Sequence, residues 1–491
     1  MKSIAGKPLY LFLLPVFFFL HAWQKNFAPG LTGTVLTQIL LYSGAALVLT
    51  SLFYWYYRSW SRAALPAFFL LAFNFFFGSI HDFLKSILPA SSIFLRYVYI
   101  IPLVLALLLG VLILLKKNKK NLQPLSYFLN LLFGIFILIE LAGLVPLLLQ
   151  TPDGREKHLQ NSFTKCDTCT RPDVYVIITD EYAGEKELKD IFGCNNNAFY
   201  EDLAQRGFQV ARNTRSNYNA TVYSMASLFQ MNYIRLRGKE MVQHGDMLYC
   251  RYLINNSSTG RFFEGLGYDF HNCSYFDIQK KPRPLTNYYF YSKSRILSFE
   301  TFLNRFGLDA GFNFFSEKRK TEIERNDFNN DEAADSLTRK VVLQKNPAPK
   351  FTYTHFARPH HPYFLDRNGN PQNIPDSIKG FDRIRTGYTE HLLYTNQRLL
   401  QLIDFILQHS KQPPVILLAS DHGFRQFEKP ADPKYYFMNL TAIHLPNRQY
   451  QAFYEGMSPV NTFRLILNAQ FGQNLPLLKD SSQFLIEKAG W

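Results

Sequence analysis

Val415-Ile-Leu-Leu-Ala-Ser-Asp-His-Gly423 is the stretch whose reading decides the fold. Its apolar run is rich in β-branched residues, short, and ends abruptly in acid. That is the pattern of a parallel strand covered on both faces. Val174-Tyr-Val-Ile-Ile-Thr-Asp-Glu181 repeats it. Between the two, residues 380–409 space Leu392, Leu393, Leu399, Leu400, Ile403 and Ile406 at helical intervals. The alternation predicts an α/β domain, a mostly parallel sheet sandwiched by helices. Such sheets bind ligands beyond the carboxyl ends of their strands, where Asp180-Glu181 and Asp421-His422-Gly423 fall. Two carboxylates and an imidazole arriving at one edge form a donor set for a divalent cation.

Outward from this core the composition changes. Residues 1–150 hold 11 Lys/Arg and 2 Asp/Glu, whereas the remaining residues hold 42 and 36, close to balance. A nucleic-acid binder would carry its basic excess on the folded domain, so that class is excluded, as are a disordered chain and a disulfide scaffold. Five apolar runs, at about 8–23, 34–57, 63–80, 97–115 and 126–149, each approach the ~20 residues that cross a hydrocarbon core. They predict a five-helix membrane anchor over 1–150, a juxtamembrane linker over 151–170 and an outer catalytic domain over 171–491.

Orientation follows from the short loops. With the N-terminus in the cytoplasm, the inner side holds Lys2, Lys7, Arg58, Arg62, Lys116, Lys117, Lys119 and Lys120, against Lys25, Lys85 and Arg96 outside. An odd number of spans then delivers the domain to the periplasmic or extracellular face of the cytoplasmic membrane. Glu140 falls within the fifth run with no second charge in any span to pair with, and is read as protonated or bonded between helices. All five cysteines lie in the outer part, and Cys166-x-x-Cys169 is read as a local disulfide, with at least one thiol left free. The charged stretch 317–340 is read as a solvated helix or an insertion.

Three more segments carry chemistry. Ser216-Asn-Tyr-Asn-Ala-Thr-Val-Tyr-Ser224 reads as a loop entering a helix, with Thr221 near an N-terminus that favours anions. His355-Phe-Ala-Arg-Pro-His-His-Pro-Tyr363 follows the apolar run 351–354, and Ser458-Pro opens a last helix. Ser224 and Ser227 fit packing positions, and Arg425 faces either an anionic substrate or a neighbouring carboxylate. A Thr hydroxyl needs a cation beside it to act as an alkoxide, and His and Arg can steady developing charge and protonate a leaving oxygen. Such a set is chemically coherent with group transfer from an anionic ester to water or to a second hydroxyl.

In these motifs and their order, residues 171–475 resemble the alkaline phosphatase superfamily in its membrane-anchored sulfatase-like branch. The five-span anchor is similar to that of lipoteichoic acid synthases and phosphoethanolamine transferases. The resemblance implies that Asp180, Thr221, Asp421 and His422 hold one metal ion, zinc in the first instance, with manganese or magnesium as alternatives. It implies that Thr221 is the transiently esterified nucleophile and that His355, His360 and Arg358 hold the transferred group or its leaving group. Membrane lipids and an envelope glycan or phospholipid are the implied partners and substrates. A catalytically silent binding protein of this fold and a sulfuric ester hydrolase are the alternatives; the Cys/Ser-x-Pro-x-Arg motif of the latter does not occur in the chain. Glu181 is either a ligand for a second metal or turned away.

Overall fold

The computed structural model describes residues 6–117, 120–149, 163–164, 169–236, 241–286, 291–314 and 316–486. The chain forms two compact units, Met1–Thr151 with Phe290–Lys320, and Pro152–Tyr289 with Thr321–Trp491.

The first unit contains α1 (Tyr10–Lys25), α2 (Thr32–Tyr57), α3 (Trp60–Ile87), α4 (Tyr97–Lys117) and α5 (Gln123–Leu149). The last four are long and apolar enough to cross a membrane. The remaining expected span coincides with α1, which has 16 residues. At 1.5 Å per residue it is about 24 Å long, short of a full hydrocarbon core. Glu140 is bonded between helices, one of the two readings the sequence offered: its Oε1 meets His21 Nδ1 of α1 at 2.9 Å. A count of Lys, Arg, Asp and Glu leaves histidine out, so it could not name this partner.

The unit also takes in residues 290–320, which the sequence assigned to the outer domain. Arg305 there pairs with Asp82 at 2.8 Å, Glu300 with Lys25 at 3.3 Å, and the Phe302 ring packs against Phe73 and Phe77. Gly78 admits this close approach: a Cβ there would stand 2.6 Å from the Glu300 carbonyl. Lys25 and Asp82 lie toward the α1 and α3 ends that the charge bias puts outside.

The second unit is built on a six-stranded sheet of order β2-β6-β5-β1-β4-β3. Its elements in chain order start with β1 (Val174–Asp180), α6 (Glu185–Phe192), α7 (Asn197–Gln205), β2 (Phe208–Val210), α8 (Thr221–Gln230), α9 (His244–Asn255), α10 (Ser258–Gly265) and β3 (Asp269–Cys273). After α11 (Lys293–Leu297) and α12 (Phe302–Phe314) of the first unit come α13 (Ser316–Leu343), β4 (Lys350–Pro359), α14 (Gly380–His409), β5 (Val415–Ser420), β6 (Thr441–His444) and α15 (Pro459–Phe471). β1 lies parallel to β4 and β5, and β3 to β4, while β6 and β2 run antiparallel at the other edge. Five of these six strands therefore run the same way and β6 alone is reversed, so the sheet is mostly parallel with one antiparallel strand near its edge. Val174–Ile178 and Val415–Leu418 are at most 1% exposed, as a sheet covered on both faces requires. Burying each large apolar side chain there contributes about 1.5–3 kcal/mol.

The charged stretch 317–340 is helical, within α13. It is not simply solvated, because Asp327, Asp331 and Asp335 form a buried stripe at helical spacing. Cys169 is disulfide-bonded, and Cys194, Cys250 and Cys273 are free thiols. Most of the expected linker 151–170 lies outside the described residues.

Candidate metal centre

β1 and β5 are adjacent and in register, Thr179 opposite Ser420, so Asp180 and Asp421 leave the sheet side by side. Asp421 Oδ1 accepts the N–H groups of Glu181 (3.0 Å) and His422 (2.8 Å), which fixes the carboxylate and turns Oδ2 away from them. His422 Nδ1 meets the Gly423 carbonyl at 2.8 Å, leaving Nε2 to face the site. Gly423 is needed where it stands, since a Cβ would lie 2.2 Å from the Tyr435 carbonyl. The result is a compact triad: His422 Nε2 lies 3.3 Å from Asp421 Oδ2 and 3.7 Å from Asp180 Oδ1.

Thr221 is the first residue of α8 and its Oγ1 lies 3.3 Å from the same His422 Nε2. The loop before it is riveted elsewhere. Asn217 Oδ1 accepts the Val460 N–H, and Asn219 Oδ1 accepts the Leu485 N–H while its Nδ2 donates to the Leu485 carbonyl. Ser224 donates to the Tyr218 carbonyl and Ser227 to the Ser224 carbonyl, so both hydroxyls are occupied in packing.

Glu181 is a buried non-glycine residue at φ 60°, a conformation that costs on the order of 1 kcal/mol or more. It is held there by its N–H on Asp421, by the Tyr388 hydroxyl on its carbonyl (2.8 Å), and by the Arg425 N–H on Oε1 (2.6 Å). Oε2 lies 3.7 Å from His360 Nε2. Arg425 also donates to the Asn219 carbonyl at 3.0 Å, tying the loop after His422 to the loop before Thr221.

The electrostatics match a cation site. Burial, then Asp421 and Glu181, push the Asp180 carboxyl well above the usual range. Burial opposes ionisation of Asp421 too, but His422, His355, the Glu181 N–H and the Thr221 hydroxyl pull it below its ordinary value. Burial holds His422 toward its neutral, ligating form. Asp180 Oδ1, Asp421 Oδ2 and Glu181 Oε2 are buried and have no hydrogen-bond partner among the described residues. Such orphaned acceptors are costly unless something positive meets them. The ligand atoms of Asp180, Asp421 and His422 lie within 4.8 Å of one another, a spacing one divalent ion can bridge.

The histidine segment divides. His360 stands at the rim, close to Glu181, with Nδ1 on the His361 carbonyl. His355 is inside β4, which runs on to Pro359 rather than stopping at Thr354, and it is 1% exposed. Its Nδ1 meets the Tyr353 hydroxyl at 2.8 Å, and burial pulls its pKa down to about 4. It adjoins the centre without lining its mouth. Arg358 is not brought to the centre: its guanidinium lies 3.7 Å from Asp331 and 3.4 Å from Glu332 of α13. Two acids 26 and 27 positions earlier in sequence claimed it, which no local motif announces. Sequence reading also missed Tyr275, a buried ring 5.7 Å from His355 whose ionisation is suppressed by burial first, then by Asp331, Asp327 and Asp180.

No family model and no curated protein matches the chain. Among solved structures it is similar to the C-terminal periplasmic domain of EcEptC from Escherichia coli, at 12% identity and TM-score 0.41, over 65% of this chain and 91% of that one; the same domain in complex with Zn also matches. The integral membrane lipooligosaccharide phosphoethanolamine transferase A (EptA) from Neisseria meningitidis is similar over 94% of both chains, at 14% identity and TM-score 0.37. A 2-O GAG sulfatase matches over 64% of this chain and 73% of its own, at 12% identity and TM-score 0.38.

Proposed function

We propose that the protein is a membrane-anchored, metal-dependent phosphoryl-group transferase or phosphoester hydrolase acting on envelope lipids or glycans through a covalent threonine intermediate. One observation carries this reading: the Thr221 hydroxyl opens a helix 3.3 Å from His422, beside two carboxylate oxygens that are buried without a hydrogen-bond partner among the described residues. Asp180, Asp421, His422 and Thr221 would hold a divalent ion, with zinc as the first candidate, and the ion supplies positive charge that favours the Thr221 alkoxide and neutralises phosphoryl oxygens.

The chain's own groups do the rest. The N-terminal N–H groups of α8 face the phosphoryl oxygens. Thr221 Oγ1 attacks phosphorus, forming an O–P bond as the bond to the leaving oxygen breaks. His360, at the rim and steadied by Glu181, gives that oxygen a proton. A second hydroxyl, from water or from an acceptor, loses its proton to His360 and attacks the phosphothreonine, which restores Thr221. A phosphoethanolamine or phosphoglycerol group is the size of cargo we assign. A membrane anchor with the site on the outer face suits a lipid donor.

The test is to incubate the purified full chain with phospholipid, with and without a glycan acceptor, and identify the phosphorus-containing products. The reading predicts headgroup release without acceptor, transfer with it, and a mass adduct on the Thr221 peptide after rapid quenching. Absence of all three in metal-loaded protein would remove it.

A further inference from the structure

The second unit has a cavity of about 600 Å³ apart from the candidate metal centre, within the range of small-ligand sites. Its walls include Arg215, Lys434, Phe437, Ser481 and Ser482. Nothing in the proposed chemistry uses it.

Sheet topology fixes where it lies. β6 is antiparallel to β5, so its first residue, Thr441, stands beside Ala419 near the end of β5 that delivers Asp421. β2 is antiparallel to β6, with Val210 opposite Ala442, so its chain leaves the sheet on the same edge. The next residues run outward as one wall, Arg215 bridged to Met438, and the Ser216 N–H on the Phe437 carbonyl at 2.8 Å. The cavity therefore opens on the carboxyl edge that bears the metal centre. β2 and β1 are three strand spacings apart, about 14 Å. Both walls also continue into the centre. Residues 215–220 lead directly to Thr221, and the Gly423 N–H bonds the Tyr436 carbonyl at 3.1 Å.

The lining states what fits. Asp480 is occupied by Tyr454 and Ser458, Lys434 is paired with Asp432 at 2.7 Å, and Glu455 meets Asn213 at 3.3 Å. Arg215 is exposed and makes no ion pair within 4.0 Å among the described residues, although its charge reaches Asp432, which Lys434 already holds. The Ser482 hydroxyl donates to the Ser216 carbonyl at 2.7 Å, which leaves the Arg215 guanidinium, Ser481 and one aromatic ring, a set suited to a sugar bearing an anionic group.

We propose that this cavity binds the second substrate, an anionic saccharide bearing a carboxylate or phosphate, with Arg215 its charge anchor and the accepting hydroxyl extending toward Thr221. This rests on the transferase reading above. The experiment uses the metal-loaded full chain in detergent, a short-chain phospholipid donor, and three matched oligosaccharide acceptors: neutral, carboxylated and phosphorylated. Wild type should show a lower KM for one or both anionic acceptors than for the neutral one, and whichever is favoured identifies the anion. Arg215→Ala should raise that KM about 10- to 100-fold and abolish the preference over the neutral acceptor. Arg215→Lys should restore part of it. Fluorescence-anisotropy binding of the labelled anionic oligosaccharide should weaken in parallel. A KM and binding affinity unchanged by Arg215→Ala, or no preference in wild type, overturns the acceptor site. Failure of wild type to release headgroup to water overturns the transferase reading instead, while binding still reports on the cavity.

Discussion

Two buried aspartates, Asp421 after β5 and Asp331 on α13, face the same sheet and do opposite things. Asp331 spends both oxygens on backbone, accepting the Ala357 N–H at 2.7 Å and the Arg358 N–H at 3.2 Å. Asp421 accepts two N–H groups on Oδ1 and leaves Oδ2 with no partner among the described residues. The saturated acid is a rivet: it holds the end of β4 from which the His360 loop departs. The half-saturated one is an open coordination position. Burial alone does not separate structure from chemistry; the accounting of each lone pair does.

The largest expected effect tests the open side. Thr221→Ala should lower turnover by on the order of 10⁴-fold while leaving the fold intact, as loss of a covalent nucleophile does. Thr221→Ser should keep part of the rate and Ser224→Ala most of it. Turnover and thermal midpoint measured together decide this; full activity in Thr221→Ala would close the covalent route. Next, Asp421→Asn should abolish stoichiometric metal in elemental analysis and reduce activity on the order of 10³-fold, several kcal/mol of lost charge stabilisation. Chelator should lower the thermal midpoint of wild type and not of this variant. Equal midpoints and no metal in wild type would erase the contrast between the aspartates.

Asp331→Asn should act differently. It turns an N–H₂ toward a backbone N–H and should cost about 1–3 kcal/mol, with metal content unchanged. Activity should fall about tenfold, through the His360 loop.

The smallest effect is in pH. Burial raises Asp331 from 3.8 to about 6, and Asp331 is fully buried. A carboxyl whose folded pKa lies above its unfolded value stabilises below the unfolded pKa and loses that contribution as pH rises through the folded one. The stability difference between wild type and Asp331→Asn should therefore shrink from pH 4 to pH 6 and then level off. Denaturation at both pH values measures it, and a difference that grew would refute the assignment.

What the sequence made legible follows the same line. β1 and β5 announced themselves because a covered strand is apolar throughout and its terminal acids follow at once. α14 matched residues 380–409 because its apolar face repeats at helical spacing. The triad and Thr221 fell together because each sits at the end of a regular element. Arg358 and the acidic face of α13 were misread for one reason: each is answered by a residue distant in sequence. Periodicity reports which face is buried, and says nothing about which polar partner waits there.

Asn219 gives the final consequence. Its side chain is completed by Leu485, 266 positions later in the chain. A polypeptide exported N-terminus first presents Thr221 to the outer side long before residue 485 arrives. Until then the loop leading to Thr221 lacks this tie and keeps those to Phe437, Val460 and Arg425. Under the proposed function and orientation, the timing of export thus becomes a safety catch: the Thr221 hydroxyl gains its full set of supports only when almost the whole domain has crossed.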